Sequence, residues 1–331
     1  MKLPHSLALY LVIPLLAVPT LVEAAPRIDN VLIRMVPPGV TSLVGVHMDQ
    51  VIVSDLYQKL IAQQKLPQLD QFVKETGFDP RRDVRELLYI YVPSGSVLVA
   101  RGKFVMKSDP APGMKIVRHG EYNIHAQDAS GFCILDSTLA AAGELPALEA
   151  ALDEWTGGSH DSAQALLKPV AAINEQIPVW GVSTGFASFL ASSLPRAGNG
   201  LDFSAIFKGI ESSWFTLSVS SGLQAAIHCT AATEKDAVGL RDTTKGLIGL
   251  GRLMVPQDKP DLVHLWDGLT VEQDGRSFTL NADISGSGID QLVQLFSNAS
   301  GRGGRGGSGR GGRGGSGRGG AGRGVLPPGR A

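Results

Sequence analysis

The 331-residue chain is poor in the groups that carry most enzyme chemistry. Two residues are cysteine, Cys133 and Cys229, and seven are histidine, with no H-x-H or H-E-x-x-H spacing among them, so no metal site has local support. No phosphate-binding P-loop is present, and the glycine pairs near the C-terminus follow no strand, which excludes a dinucleotide fingerprint there. No cofactor is implied. Beyond residue 24 no stretch is long and apolar enough to span a bilayer. Net charge is nearly absent too: 30 Lys+Arg stand against 31 Asp+Glu. What is present is a 43% apolar share, which fits a packed core and excludes wholesale disorder.

The two ends stand apart from the fold. Residues 1–24 read as a secretory signal peptide, with Lys2 as the positive start, the apolar run Leu7–Val18, and Val22 and Ala24 at −3 and −1 of the cleavage site. The run is shorter than the roughly 20 residues of a membrane span, and Pro14 and Pro19 interrupt it. No cysteine follows the cleavage site, which argues against lipid attachment. The expectation is an exported protein, periplasmic or extracellular. At the other end, residues 300–331 form a low-complexity tail. GRGGRGGS occurs at 301–308 and again at 309–316, then decays. From Gly301 onward there are sixteen glycines, seven arginines and no acidic residue. Such a segment has nothing to bury that would offset the entropy of ordering it, so a disordered cationic arm is expected. The leader is neutral (Lys2 against Glu23), so the net charge of −1 conceals a body of −8 carrying an arm of +7.

Arg302, Arg305, Arg310, Arg313, Arg318 and Arg323 are the candidate polyanion contacts, because guanidinium forks pair with phosphate and glycine lets the backbone follow an irregular polymer. The repeats resemble the RGG segments of RNA-binding proteins. Two features weaken an RNA partner: the arm has no aromatic residue for base stacking, and the leader routes the chain away from cytoplasmic RNA. Anionic envelope polymers, anionic lipid or extracellular DNA fit better. A solvating tail without a fixed partner carries equal weight, and the arm also has its own acidic body to fold onto at low salt.

The body reads as two related units, residues 25–156 and 178–299, joined by a helical connection over 157–177. Thr41–Met48 predicts a strand, Ser54 an N-cap for a helix bearing Leu56, Tyr57, Leu60 and Ile61, and Asp79-Pro80 a capped helical turn. Leu87–Val92 and Val97–Lys103 predict a hairpin, Glu121–Gln127 and Phe132–Asp136 two more strands, and Leu145–Trp155 a helix. The pattern recurs. Pro178–Ser183 is a strand that aligns Gly181-Val182 with Gly45-Val46, and Phe186–Leu194 is helical. Trp214–Ser220 and Leu223–Ala231 form a hairpin, Glu234–Met254 a long helix, Leu269–Gln273 and Arg276–Ser285 a last hairpin, and Ile289–Phe296 a closing helix. The long helix carries Leu240, Leu247, Leu250 and Met254 on one stripe, and its Gly239, Gly246, Gly249 and Gly251 suggest close approach to a sheet. The fold class is therefore α+β: two tandem, duplicated units of antiparallel sheet with helices on one face, plus the tail.

The lead Val36-Pro37-Pro38-Gly39-Val40-Thr41, the strand-helix opening and the turn Thr76-Gly77-Phe78-Asp79-Pro80-Arg81-Arg82-Asp83 resemble a group of uncharacterised exported bacterial proteins. The resemblance covers the first third of the body, implies export, and transfers no activity and no site residue.

Gly181-Val182-Ser183-Thr184-Gly185 matches G-x-S-x-G between a predicted strand and a predicted helix, and Asp261 or Asp267 with His264 follows in the Ser, acid, His order. Against a serine hydrolase stand the missing HGGG-type segment and the downstream hairpins, where that fold alternates parallel strands with helices. Cys133 and Cys229 are candidates for a disulfide in an oxidising compartment, or else two buried small apolar side chains. Trp155, Trp180, Trp214 and Trp266 are core residues or the lining of a ligand groove. The sequence favours a non-catalytic exported scaffold with a polyanion-binding tail over a hydrolase at Ser183 or a small-ligand binder between the units.

Overall fold

The computed structural model describes residues 29–63, 70, 73, 79–105, 113–172, 177–184, 209–219, 222–253, 255, 263–288 and 290–291. The leader, the Gly/Arg tail, the helix expected at Phe186–Leu194 and nearly all of that at Ile289–Phe296 lie outside the described residues.

Chain order runs α1 (Asn30–Ile33), β1 (Ser42–His47), α2 (Met48–Val51), α3 (Asp55–Gln63), α4 (Pro80–Asp83), β2 (Val84–Val92), β3 (Gly95–Gly102), β4 (Lys115–His119), β5 (Tyr122–Gln127), β6 (Ser130–Asp136) and β7 (Leu139–Glu144). It continues with α5 (Leu145–Gly157), α6 (Gln164–Leu167), a 3-10 turn (Lys168–Ala172), β8 (Val179–Ser183), β9 (Ile210–Val219), β10 (Gly222–Ala231), α7 (Glu234–Leu253), α8 (Val263–Asp267), β11 (Leu269–Asp274) and β12 (Ser277–Ser285).

Local chemistry accounts for several of these boundaries. Asp79 Oδ1 accepts from the Arg81 N–H and Pro80 opens the helix, so α4 starts where its cap dictates. The Arg81 guanidinium grips the same carboxyl and holds Asp79 below the usual carboxylate range. Ser54 Oγ accepts from the Tyr57 N–H and heads α3 as expected. Gly275, at φ +51°, makes the two-residue turn between β11 and β12. In α5, Ala147, Leu148, Ala151 and Leu152 are buried at helical spacing.

All twelve strands form one antiparallel sheet in the order β11-β12-β10-β9-β8-β1-β2-β3-β7-β6-β5-β4. From its middle the sheet reads outward as β1-β2-β3-β7-β6 on one side and β8-β9-β10-β12-β11 on the other, so the recurrence expected from sequence reappears as matching connectivity. The N-terminal half adds β5 and β4 at its edge, where the C-terminal half inserts α7 between its hairpins. The halves fuse where β1 pairs with β8, Leu43 opposite Val182 and Gly45 opposite Trp180. The Trp180 indole lies over Gly45, where a Cβ would meet it at 2.5 Å. Trp180 and Val182 thereby join the N-terminal core with Leu43, Leu88, Ile90, Val97, Val99 and the α5 residues. The segment read as a connection, 157–177, also contributes to that core through Ala163, Leu166 and Val170.

Within each half the long helix covers one face, but the halves use opposite faces. The N-terminal core lies on the side of Leu43, Leu88 and Val99, which α5 covers. The C-terminal core lies on the side of Cys229, Phe278 and Leu280, where α7 sets Ala237 and Leu240. The glycines of α7 do not serve close sheet packing: a Cβ at Gly239, Gly246 or Gly249 would meet nothing within 4 Å, and only Gly251 is crowded, by Trp266 of α8. Nor is Leu250 a core residue, being 54% exposed.

Opposite stability effects follow. Gly45→Ala forces a methyl into a fully buried indole and should cost about 1–3 kcal/mol. Gly239→Ala fills open space on a helix and should gain about 0.5–1 kcal/mol. Urea unfolding monitored by circular dichroism checks both; midpoints moving the same way would contradict the packing described.

Candidate functional site

Ser183 closes β8 inside a row of buried hydroxyls. Its Oγ lies 2.7 Å from Ser42 Oγ on β1, and Ser213 of β9 stands directly opposite on the other side. Strand pairing continues past it, since the Thr184 N–H donates to the Thr41 carbonyl at 2.9 Å, so the backbone does not break at Ser183 as a nucleophile elbow must. His264 sits on α8 beside β11, four strands from β8, which at about 4.8 Å per strand is on the order of 19 Å away. It is exposed and faces Asp267 at 3.3 Å. The structure does not bring Ser183 and His264 together; Asp261 lies outside the described residues. Gly181 has a packing reason instead, as a Cβ there would meet the Phe215 ring at 2.2 Å.

Cys133 and Cys229 are both free and buried, which corrects the disulfide expectation. Cys133 belongs to the N-terminal core under α5 and Cys229 to the C-terminal core under α7. They occupy opposite faces, seven strands apart, roughly 34 Å across the sheet. Burial pushes the Cys133 thiol up to about 11 and the Cys229 thiol up to about 12. Both act as small apolar side chains.

The histidines and tryptophans also serve packing and anchoring. His228 stacks on Trp214 with ring centroids 3.7 Å apart, and its Nδ1 lies 3.1 Å from Thr279 Oγ1; burial lowers its pKa. His47, Glu86 and Arg101 stand in one cross-strand row on β1, β2 and β3. Glu86 lies 3.1 Å from His47 Nδ1 and accepts the Asp29 N–H, while Arg101 donates to Asp29 at 2.8 Å. That row holds down the N-cap of α1, whose Leu32 is in the core. Trp155 donates to Tyr122 and lies under Arg34, and Trp266 packs on α7. Among the described residues no group of His, Cys, Asp and Glu is arranged to hold a metal.

The feature that sequence reading missed is the α7 face of the sheet. One cross-strand row runs over all twelve strands: Ile116, His125, Phe132, Ala142, Leu98, Tyr89, Val44, Gly181, Phe215, Ile227, Leu280 and Val271. The row beside it runs Ile134, Ala140, Ala100, Leu87, Val46, Val179, Leu217, Ala225, Ala282 and Leu269. On its other side lies the hydroxyl row of Ser96, Tyr91, Ser42, Ser183 and Ser213. None of these positions holds Asp, Glu, Lys or Arg. The signal was present in β2, whose run Leu87–Val92 (LLYIYV) is aliphatic or aromatic on both faces.

No family model matches the sequence, and no curated protein matches it. Among solved structures, crystal forms III, I and IV of TP0453 are similar to this chain. Form III aligns at a TM-score of 0.48 with 8% identity, over 82% of this chain and 98% of that one. Form I aligns at 0.44 with 8% identity over 82% and 97%, and form IV at 0.44 with 9% identity over 80% and 96%. Identities this low transfer no residue role.

Two outcomes are expected. A thiol reagent such as DTNB should leave both cysteines unmodified in the native protein and titrate both in denaturant, with no mass change on reduction. His228 is held neutral in the fold, so its contribution is complete above about pH 6.5 and is lost as pH falls through its depressed folded pKa. Urea midpoints should therefore drop from pH 7.5 to 5.5, and drop less in His228→Gln; an equal drop would remove His228 as a cause.

Proposed function

We propose that this is an exported, non-catalytic envelope protein whose α+β body is an interaction scaffold and whose Gly/Arg tail holds it loosely to anionic polymers or lipid. Charge segregation carries the proposal: residues 301–331 hold seven arginines and no acid, against a body of −8. Such a separation supports attraction of the arm to phosphate or carboxylate groups while the body stays apart from them. Export rests on the leader at 1–24 and on the resemblance of the strand-helix opening. Among the described residues no helix is long and apolar enough to cross a membrane.

The competing readings lose support from the geometry. A hydrolase would need Ser183 at a sharp turn beside a base, and it lies in continuous strand pairing, distant from His264. A ligand site between the two units finds less support where β1 and β8 pair directly, Leu43 opposite Val182 and Gly45 opposite Trp180.

A heparin column compares the full-length protein with one ending at residue 300. The full chain should be retained and elute at higher salt, with affinity falling steeply as salt rises, and the shortened protein should pass through. Equal elution of the two would overturn the proposal.

A further inference from the structure

We propose that the α7 face of the sheet seats the protein on an anionic lipid surface, with the tail as its electrostatic partner; this rests on the role of the tail proposed above. The two apolar rows of that face are continuous from β6 to β11 and uncharged. In the C-terminal half α7 lies on them through Ala237 and Leu240. In the N-terminal half Met48 of α2 packs near Leu87 and Ala140 at one end of the rows.

Four large exposed hydrophobic residues stand on this side. Leu98 and Ile116 stand in the twelve-strand row, 36% and 49% exposed. Leu250 and Leu253, 54% and 85% exposed, are on α7. None of these four belongs to the α5 face. The last described residues reach this side: Gly288 lies against Ile284 of the α7 face and Leu265 of α8, and Asp290 pairs with Lys59 of α3. The +7 arm begins ten residues after Gln291.

Apolar points on one face and a cationic arm in the same chain match an anionic membrane surface, which binds by burial of apolar area together with attraction to its headgroups. The points stand on separate elements, two strands and the end of a helix. A fluid surface accepts such relief without the matched contour that a second protein must supply. The acidic body adds a condition: without the arm its −8 opposes approach to anionic lipid.

The test is co-sedimentation of the full-length mature protein with vesicles of phosphatidylglycerol and phosphatidylcholine, and with phosphatidylcholine alone. The protein should pellet with the anionic vesicles and remain largely in solution with the neutral ones. Leu250→Glu with Leu253→Glu changes two exposed side chains, so folding should be kept, and apparent vesicle affinity should fall at least about tenfold. Leu98→Glu, in the open part of the row, should act in the same direction. All these variants should keep heparin retention, because the tail is intact. Vesicle binding unchanged by the substitutions, or absent while heparin retention persists, would overturn the inference and leave the role of the tail standing. Loss of heparin retention in the unaltered protein would strike at the tail itself. A dimer in sedimentation velocity that Leu98→Glu dissociates would assign the face to a second copy and overturn the lipid surface.

Discussion

The pairing of β1 with β8 is the constraint on which the molecule depends. It joins two units into one sheet and brings Trp180, from the second unit, onto the core of the first. That position is open only because residue 45 is glycine, and the neighbouring pair repeats the device in mirror form, with Phe215 over Gly181. The indole N–H of Trp180 is buried without a hydrogen-bond partner among the described residues, a cost accepted for the apolar surface that the ring covers. Fused in this way, the two halves share one backbone ladder and leave no seam.

A sheet this wide has two faces to cover with few helices, and the halves divide the task. Under α5 the N-terminal half builds the larger core; under α7 the C-terminal half builds a small one on the other side. The C-terminal half turns Thr216, His228, Thr279 and Asn281, all half-buried, to the face opposite α7. The N-terminal half has no such polar side, since Tyr89, Tyr91 and Leu98 back onto Leu88, Ile90 and Val97. The exposed apolar side is thus a consequence of composition in β2 and β3.

Much of the fold was legible because its signals are local. Asp79-Pro80 and Ser54 set boundaries through single side chains and act in the structure as they read in sequence; the last turn falls one residue later than read, on Gly275-Arg276, because Asp274 still pairs with Ser277. Strand β7 was not legible. Its residues, Leu139–Glu144, are mostly alanine and have weak strand preference, yet they pair with β3 on one side and β6 on the other. Gly143 is needed there because a Cβ would meet the Ser96 carbonyl at 2.2 Å. Short β4 was missed for lack of length. The Ser183 motif misled because a glycine required by an aromatic neighbour and a serine in a hydroxyl row give the same letters as a nucleophile elbow.

The sequence by itself determined the capped helix starts, ten of the twelve strands, the α+β class and the separation of a +7 arm from a −8 body, since each follows from residue type and spacing along the chain. Tertiary structure alone decided which face each helix covers, that Cys133 and Cys229 lie on opposite sides, and that Ser183 and His264 stay apart. The reason is the order of strands across the sheet. Residues distant in sequence meet only through cross-strand register, and β1–β8 pairing, which no local preference encodes, sets that register for both halves.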